Sequence, residues 1–404
     1  MPVADAPEDA VRPTQAVILA GGRGTRLLPL TATLPKPMLA FHGRPFLEYL
    51  IEQVRAQGFT RVLLLLGYLP EAITSHFGAG SAFGVEITYA ITDVDHDTGT
   101  RLRLARHLVD DEFLLLYCDN YWPMDFQALH ATWRGRGTLA QVVVYANEDG
   151  WTRDNLRVAD GLVAVYDKSR TASGLKGVDI GYFLLKREVL DLIPEENVNF
   201  EGAVYPTLVA GGQLAAFTSR HRYYSVGDLR RLPLTEAFLK RRPAVILDRD
   251  GVLNIKAPQA CYISKPDAFT WVEGSLEAVR LLCKAGWRVF VVSNQAGIAR
   301  GMMTREDLEA IHEKMQADLA AVGAGVDQIY VCPHGWDDGC DCRKPKPGML
   351  FSAQRDHCLD LTRTPFVGDD ERDVLAGRAA GCPTILVTGT YRLLDAVRQD
   401  LLKT

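Results

Sequence analysis

Three cysteines and a histidine fall within the eleven residues "CPHGWDDGCDC", although the 404-residue chain holds only eight cysteines. A disulfide knot or a metal site would explain such a cluster. The opening "MPVADAPEDAVRPTQ" is polar and acidic and has no apolar export signal, so we expect a cytoplasmic protein with reduced thiols. That favours a metal. Cys332, His334, Cys340 and Cys342, spaced C-x-H, five residues, then C-x-C, make a Cys3His set suited to Zn2+. Four protein ligands leave no open position, so the zinc is expected to be structural and to stiffen the loop bearing Arg343 and Lys344.

Two other constellations point to phosphate. "LDRDGVLN" sets Asp248 and Asp250 two apart where an apolar run ends, and "VVSNQAG" ends another run with Ser293 and Asn294. "CRKPKPG" adds Arg343 and Lys344, and "FVGDDERD" adds Asp369, Asp370 and Asp373. Carboxylates, a hydroxyl and cations together can bind Mg2+ and transfer a phosphoryl group. In "ILAGGRGTRLLPLTATLPKPM", Gly21, Gly22 and Gly24 would let backbone N–H groups approach phosphates, with Arg26 and Lys36 as fixed positive charge. The spacing is not that of a P-loop.

Elements that deliver loops in this way are buried parallel strands. "AVILAGG", "RVLLLLGY", "EFLLLYCDN", "AVILDRDG", "WRVFVVSNQ", "TPFVGDD" and "PTILVTG" read as such strands. In "TREDLEAIHEKMQADLAAVG", Leu308, Ile311, Met315, Leu319 and Val322 share one helical face, with Thr304 as N-cap. Strand–helix alternation predicts two α/β, Rossmann-like domains with sites at the strands' carboxyl ends. We expect a disordered lead-in over 1–14, a first domain over 15–238, a linker over 239–243 and a second domain over 244–404. The net charge of −5 gives no reason to expect nucleic acid, and no apolar run is long enough to span a membrane. Cys118, Cys261, Cys283, Cys358 and Cys382 are scattered and read as core or surface thiols.

In order, "DRDGVLN", "SNQAGIARG", "CDCRKPKPGM" and "VGDDERD" resemble the haloacid dehalogenase superfamily. More narrowly they resemble its D-glycero-D-manno-heptose 1,7-bisphosphate 7-phosphatases, relatives of histidinol phosphatases that carry a similar zinc loop. The resemblance implies that Asp248 attacks phosphorus, Asp250 acts as acid and then base, and Ser293 and Lys344 hold the phosphate. It implies Mg2+ on Asp248, Asp369 and the Asp250 carbonyl, with Asn254, Asn294 and Arg343 as substrate contacts. Where relatives often have a basic residue after the last motif aspartate, this chain has Asp370, a carboxylate with no evident partner.

The glycine-rich string, Thr25 included, resembles the signature of sugar-1-phosphate nucleotidylyltransferases, and the likeness runs over about residues 15–235. It implies a GT-A-like domain that uses an NTP and Mg2+. Asp119 of "LYCDN" would bind the metal, Lys168 of "VYDKS" the sugar phosphate and Glu201 of "NFEGAVYPTL" the sugar hydroxyls. The chain departs from that family with Asp179-Ile180-Gly181 in place of N-A-G. Ser225 stands at the second metal position, which Asp228 fills if the loop shifts, and "DTGTRLRL" lacks the usual small residues after Gly-Thr. The two resemblances together imply a bifunctional enzyme that removes the 7-phosphate and then transfers a nucleotidyl group, GTP favoured, to the resulting heptose 1-phosphate. The alternatives are an active phosphatase with a non-catalytic binding module, the same architecture with another sugar and CTP or UTP, or a preference for histidinol phosphate. The histidinol product would be of no use to the first half.

Overall fold

The computed structural model of the chain describes residues 12–258 and 261–403. The lead-in expected over 1–14 lies outside these residues as far as residue 11. Thr14 is docked rather than disordered, its carbonyl accepting from Thr60 N–H at 3.1 Å and Arg61 N–H at 3.2 Å. Backbone contacts divide the chain into a unit ending at Leu239 and a unit beginning at Lys240.

In the first unit nine strands form one sheet. They are β1 (Gln15–Ala20), β2 (Arg61–Leu66), β3 (Glu86–Ile91), β4 (Glu112–Tyr117), β5 (Ala140–Tyr145), β6 (Leu156–Ala159), β7 (Leu162–Tyr166), β8 (Val178–Lys186) and β9 (Leu214–Ser219). Their order is β3-β2-β1-β4-β8-β5-β9-β7-β6. β3, β2, β1 and β4 run parallel, while β8 enters antiparallel between β4 and β5. Every residue of β1 is buried, as a strand covered on both faces requires. The parallel register brings the carboxyl ends of four strands to one rim, which displays Gly21, Gly67, Thr92 and Asp119.

The second unit is a five-stranded, all-parallel sheet of β10 (Ala244–Asp248), β11 (Arg288–Asn294), β12 (Gln328–Cys332), β13 (Phe366–Gly368) and β14 (Thr384–Leu386). Its order is β12-β11-β10-β13-β14. Alternation decides which core each residue joins. Val245, Leu247, Val289 and Val291 pack into one cluster, and Ile246, Phe290 and Val292 pack into another. Truncating Leu247, which is fully buried, to alanine would cost about 2–5 kcal/mol.

The helix Arg305–Ala321 starts where its cap was expected, with a reciprocal Thr304–Asp307 capping box. Leu308, Ile311, Met315 and Leu319 are buried, but Val322 is 40% exposed. Val322 follows the last helical residue, so the helical period no longer applies to it. Among the described residues no helix is long and apolar enough to cross a membrane.

Candidate active sites

In the second unit β10 ends on Asp248, and the chain then turns so that Asp250 faces the same cavity, of about 680 Å3. Gly251 makes the turn possible. Its φ is +97°, and a Cβ there would lie 2.1 Å from an Asp369 oxygen, so only glycine lets Asp369 approach. Ligand atoms of Asp248, Asp369 and Asp373 lie within 4.8 Å of one another. Lys344 Nζ is 2.7 Å from both Asp248 and Asp373, and Lys256 Nζ is 2.8 Å from Asp369.

The electrostatics follow from this crowding. Burial pushes the Asp248 carboxyl up to about 7; Lys344 pulls it down, and Asp373 and Asp250 push it further up. Burial also raises Asp369, against the pull of Lys256. Burial works against the Lys344 charge too, but Asp248 and Asp373 hold its ammonium above the usual range. Three carboxylates, two of them on Lys344 and the third on Lys256, form an oxygen-rich, net-negative cradle, the donor set a hard divalent cation such as Mg2+ takes. A cation there favours the ionised carboxylates.

Asp250 is held differently. It accepts from Arg249 at 3.0 and 3.1 Å, Asn254 at 3.1 Å, Ser293 at 3.2 Å and Gln295 at 2.8 Å. Burial alone would raise its carboxyl, but Arg249 and the amide and hydroxyl donors hold it below the usual range.

Several of the expected residues also hold their neighbours. Asn254 is fully buried and donates to Asp250 at 3.1 Å. Asn294 clamps the Lys344 backbone, donating to its carbonyl at 3.1 Å and accepting from its N–H at 3.0 Å. Asp370 does have partners. It caps the helix Glu371–Ala380, pairs with Arg372 at 2.8 and 2.9 Å and lies 3.6 Å from Lys256. The Arg372 bonds hold its carboxyl well below the usual range. Asp373, Arg249, Gln295 and Lys256 were not singled out for these roles. Asp373 is the fourth residue after Asp369, where the first helical turn brings it back to accept from the Asp369 and Asp370 N–H groups.

Cys332, His334, Cys340 and Cys342 converge at the end of β12, all four ligand atoms within 4.8 Å. The Cys332–Cys340 sulfurs are 3.7 Å apart, and His334 Nδ1 is 3.6 Å from Cys332 Sγ and 3.2 Å from Cys342 Sγ. Zn–S bonds of about 2.3 Å imply a tetrahedral edge of about 3.8 Å. The set therefore fits zinc. Arg343 Nη1 reaches back to the His334 carbonyl at 3.4 Å, tying the cavity-lining segment to this loop.

In the first unit the three glycines differ. A Cβ on Gly21 would strike the Arg101 guanidinium at 2.5 Å, Gly22 faces open space, and Gly24 sits at φ +65° against Thr31 and Lys36. Lys36 Nζ donates to Asp119 Oδ2 at 2.7 Å. Burial opposes both charges, yet each partner holds the other ionised, with Arg26 also lowering Asp119. Arg26, Lys36 and Asp119 are thus brought together. Asp228 is not brought to them among the described contacts. It accepts from Arg230 N–H at 3.0 Å and pairs with Arg231 at 3.5 Å. The neighbouring strand places Ser225 opposite Asn120, with Val226 N–H on the Asp119 carbonyl at 2.9 Å. A one-carboxylate site covered by lysine is a poorer fit for Mg2+ than the cradle of the second unit.

Glu201 is buried at the start of the helix Phe200–Ala210, beside Asp179. Tyr205 Oη donates to Asp179 at 2.7 Å, and Tyr166 packs on Tyr205 with ring centroids 4.6 Å apart. Burial and Glu201 push the Asp179 carboxyl up to about 7. Lys168 is exposed on a turn, and no described contact joins it to this pair.

Residues 15–153 match the nucleotidyl transferase family, and residues 341–401 match a HAD-hydrolase-like family. A D-glycero-β-D-manno-heptose-1,7-bisphosphate 7-phosphatase of Bordetella bronchiseptica is 46% identical over 149 residues, 37% of this chain and 82% of that protein. A solved D,D-heptose 1,7-bisphosphate phosphatase from B. bronchiseptica, complexed with magnesium and phosphate, is 39% identical. The match covers 40% of this chain and 99% of that one, with a TM-score of 0.38. A putative glucose-1-phosphate thymidylyltransferase from Bacillus anthracis, in complex with a sucrose, is 18% identical and has a TM-score of 0.50. It covers 56% of this chain and 95% of its own, a likeness of fold.

Proposed function

This chain belongs to the family of HAD-like D-glycero-β-D-manno-heptose-1,7-bisphosphate 7-phosphatases, and from that premise we propose a bifunctional enzyme. The second unit removes the 7-phosphate of D-glycero-D-manno-heptose 1,7-bisphosphate. The first transfers a nucleotidyl group, GMP favoured, from an NTP to the heptose 1-phosphate so produced. The observation that carries the reading is the convergence of the Asp248, Asp369 and Asp373 carboxylates, with Lys344 bonded to two of them and Asp250 lining the same cavity as Asp248.

An Asp248 oxygen attacks phosphorus and the bond to the sugar O7 breaks, leaving an aspartyl-phosphate. Asp250 gives its proton to the departing oxygen, then takes one from the water that releases orthophosphate. The shell around Asp250 disfavours that proton in the free site. A phosphate dianion arriving nearby raises the carboxyl's proton affinity by like-charge repulsion. Ser293 and Lys344 hold the transferring group, and Mg2+ on the carboxylates would neutralise its charge. In the first unit the sugar 1-phosphate oxygen attacks the α-phosphorus of the NTP and pyrophosphate leaves. Arg26, Lys36 and the glycine-loop N–H groups bear the charge.

Separate assays of orthophosphate and pyrophosphate, with both anomers of the bisphosphate and each NTP in turn, test this reading. Orthophosphate from the bisphosphate is expected with any NTP or none, and pyrophosphate chiefly with GTP. Release of neither ion with either anomer would sink it. A second reading, in which the first unit binds a nucleotide without turnover, is favoured by the pairing of Asp228 within its own loop, with Arg230 N–H and Arg231. Nucleotide binding without pyrophosphate release would select it.

A further inference from the structure

The side chain of Arg101, on the short helix Thr98–Leu104, is almost wholly buried at 3% exposure. Its guanidinium lies beneath the strand-end rim. One terminal nitrogen donates to the Leu66 carbonyl at 2.8 Å and to Thr92 Oγ1. The other donates to the Gly21 carbonyl at 3.3 Å and the Val94 carbonyl at 3.0 Å. It therefore ties together the carboxyl ends of β1, β2 and β3. Gly21 and Gly67 both lack a side chain where this group passes, since a Cβ on either would lie 2.5 Å from it.

Two features make this more than a structural tie. All four acceptors are neutral, and no carboxylate forms an ion pair with Arg101 among the described residues. Burial disfavours its charge, and Asp93 and Asp97, both exposed, offset this only from a distance. A buried cation without a counter-ion is costly. The Gly21 carbonyl is also turned inward, accepting from Arg101 and, at 3.1 Å, from Tyr68 N–H. In a planar trans peptide the N–H points opposite the C=O. The Gly22 N–H is thus turned away from the guanidinium, on an exposed residue where a Cβ would meet nothing within 4 Å.

We infer that Arg101 is a positioning residue for nucleotide binding, a role that rests on the nucleotidyltransferase reading above. By drawing the Gly21 carbonyl inward it aims the Gly22 N–H at an incoming phosphate, and it places a fixed positive charge behind that peptide. Its ligand class is the polyphosphate of the NTP, whatever the base. Preorganised N–H groups backed by positive charge favour an anion without reorganisation when it binds.

Titration calorimetry of the full chain with inorganic tripolyphosphate and with GTP, each with Mg2+, tests this. Arg101→Met is expected to weaken both probes by about tenfold or more. In pyrophosphate assays the loss should appear in KM for GTP and leave KM for the sugar phosphate unchanged. Arg101→Lys, which keeps the charge but cannot span three strand ends, should recover part of the affinity. Orthophosphate release by the second unit should be unaltered. If Arg101→Met fails to fold, Arg101→Lys decides, and wild-type affinity in that variant overturns the role. A wild-type chain that binds neither probe overturns the nucleotide reading itself. A wild-type chain that binds both, matched by folded Arg101→Met, overturns only the role of Arg101.

Discussion

The two units solve the same problem, bringing anionic groups together at the ends of parallel strands, to different degrees. In the second, three carboxylates and a buried lysine already stand within bonding reach, and Asp250 is locked by four neighbouring side chains. In the first, one carboxylate is occupied by Lys36, and Asp228, the second expected metal ligand, turns to its own loop. The contrast teaches that a hydrolytic site acting on one phosphate can be held complete by the fold. On the reading proposed above, the first unit has its cations in place and would take its metal together with the nucleotide, a common arrangement for Mg2+.

The comparison breaks if the sites are not separable, and the largest effect tests that. Asp248→Asn removes the nucleophile and should lower orthophosphate release by at least about 10^4-fold, with pyrophosphate release from heptose 1-phosphate unchanged. Lys36→Ala should do the reverse, lowering pyrophosphate release by roughly 10^2-fold with the phosphatase rate intact. Stopped assays of each ion on both variants would show any cross-talk.

A smaller loss sharpens the account of the Cys/His loop, whose four donors fit zinc. Cys340→Ser should release zinc, measured by metal analysis, and reduce orthophosphate release about 10- to 100-fold through Arg343 and Lys344. The smallest effect is a pH slope in the first unit. Asp179 binds its proton more tightly folded, at about 7, than at its ordinary value of 3.8. Its contribution is therefore fully present below 3.8 and is lost as pH rises through about 7. The urea midpoint, read from hydrogen exchange in Phe200–Ala210, should fall between pH 5 and pH 8, and Asp179→Asn should flatten that fall.

Much of the second unit was legible before any coordinates. Strand-end aspartates, the serine and the C-x-H…C-x-C spacing announce themselves because a chemistry needs those types at those intervals. Second partners were not legible. Whether Asn254 and Asn294 face a ligand or hold a neighbour depends on side-chain direction, which spacing does not carry. The pairing of Asp370 with Arg372 arises from a helix cap whose geometry exists only once the turn forms. In the first unit the glycine pattern was readable, but not that a Cβ on Gly21 would strike the buried Arg101 guanidinium. Whether Asp228 reaches Asp119 depends on the register of its loop, which hydrophobic periodicity does not set. Val322 was misplaced because periodicity continued past the point where the helix ends.

The most direct test gives wild-type protein and Asp248→Asn the same mixture of heptose 1,7-bisphosphate, GTP and Mg2+, and follows both ions. The account predicts one orthophosphate and one pyrophosphate per sugar from the wild type and neither from the variant. Pyrophosphate release should return to the variant when heptose 1-phosphate is supplied. Pyrophosphate from the bisphosphate with Asp248→Asn, or none from heptose 1-phosphate with any NTP, would contradict it.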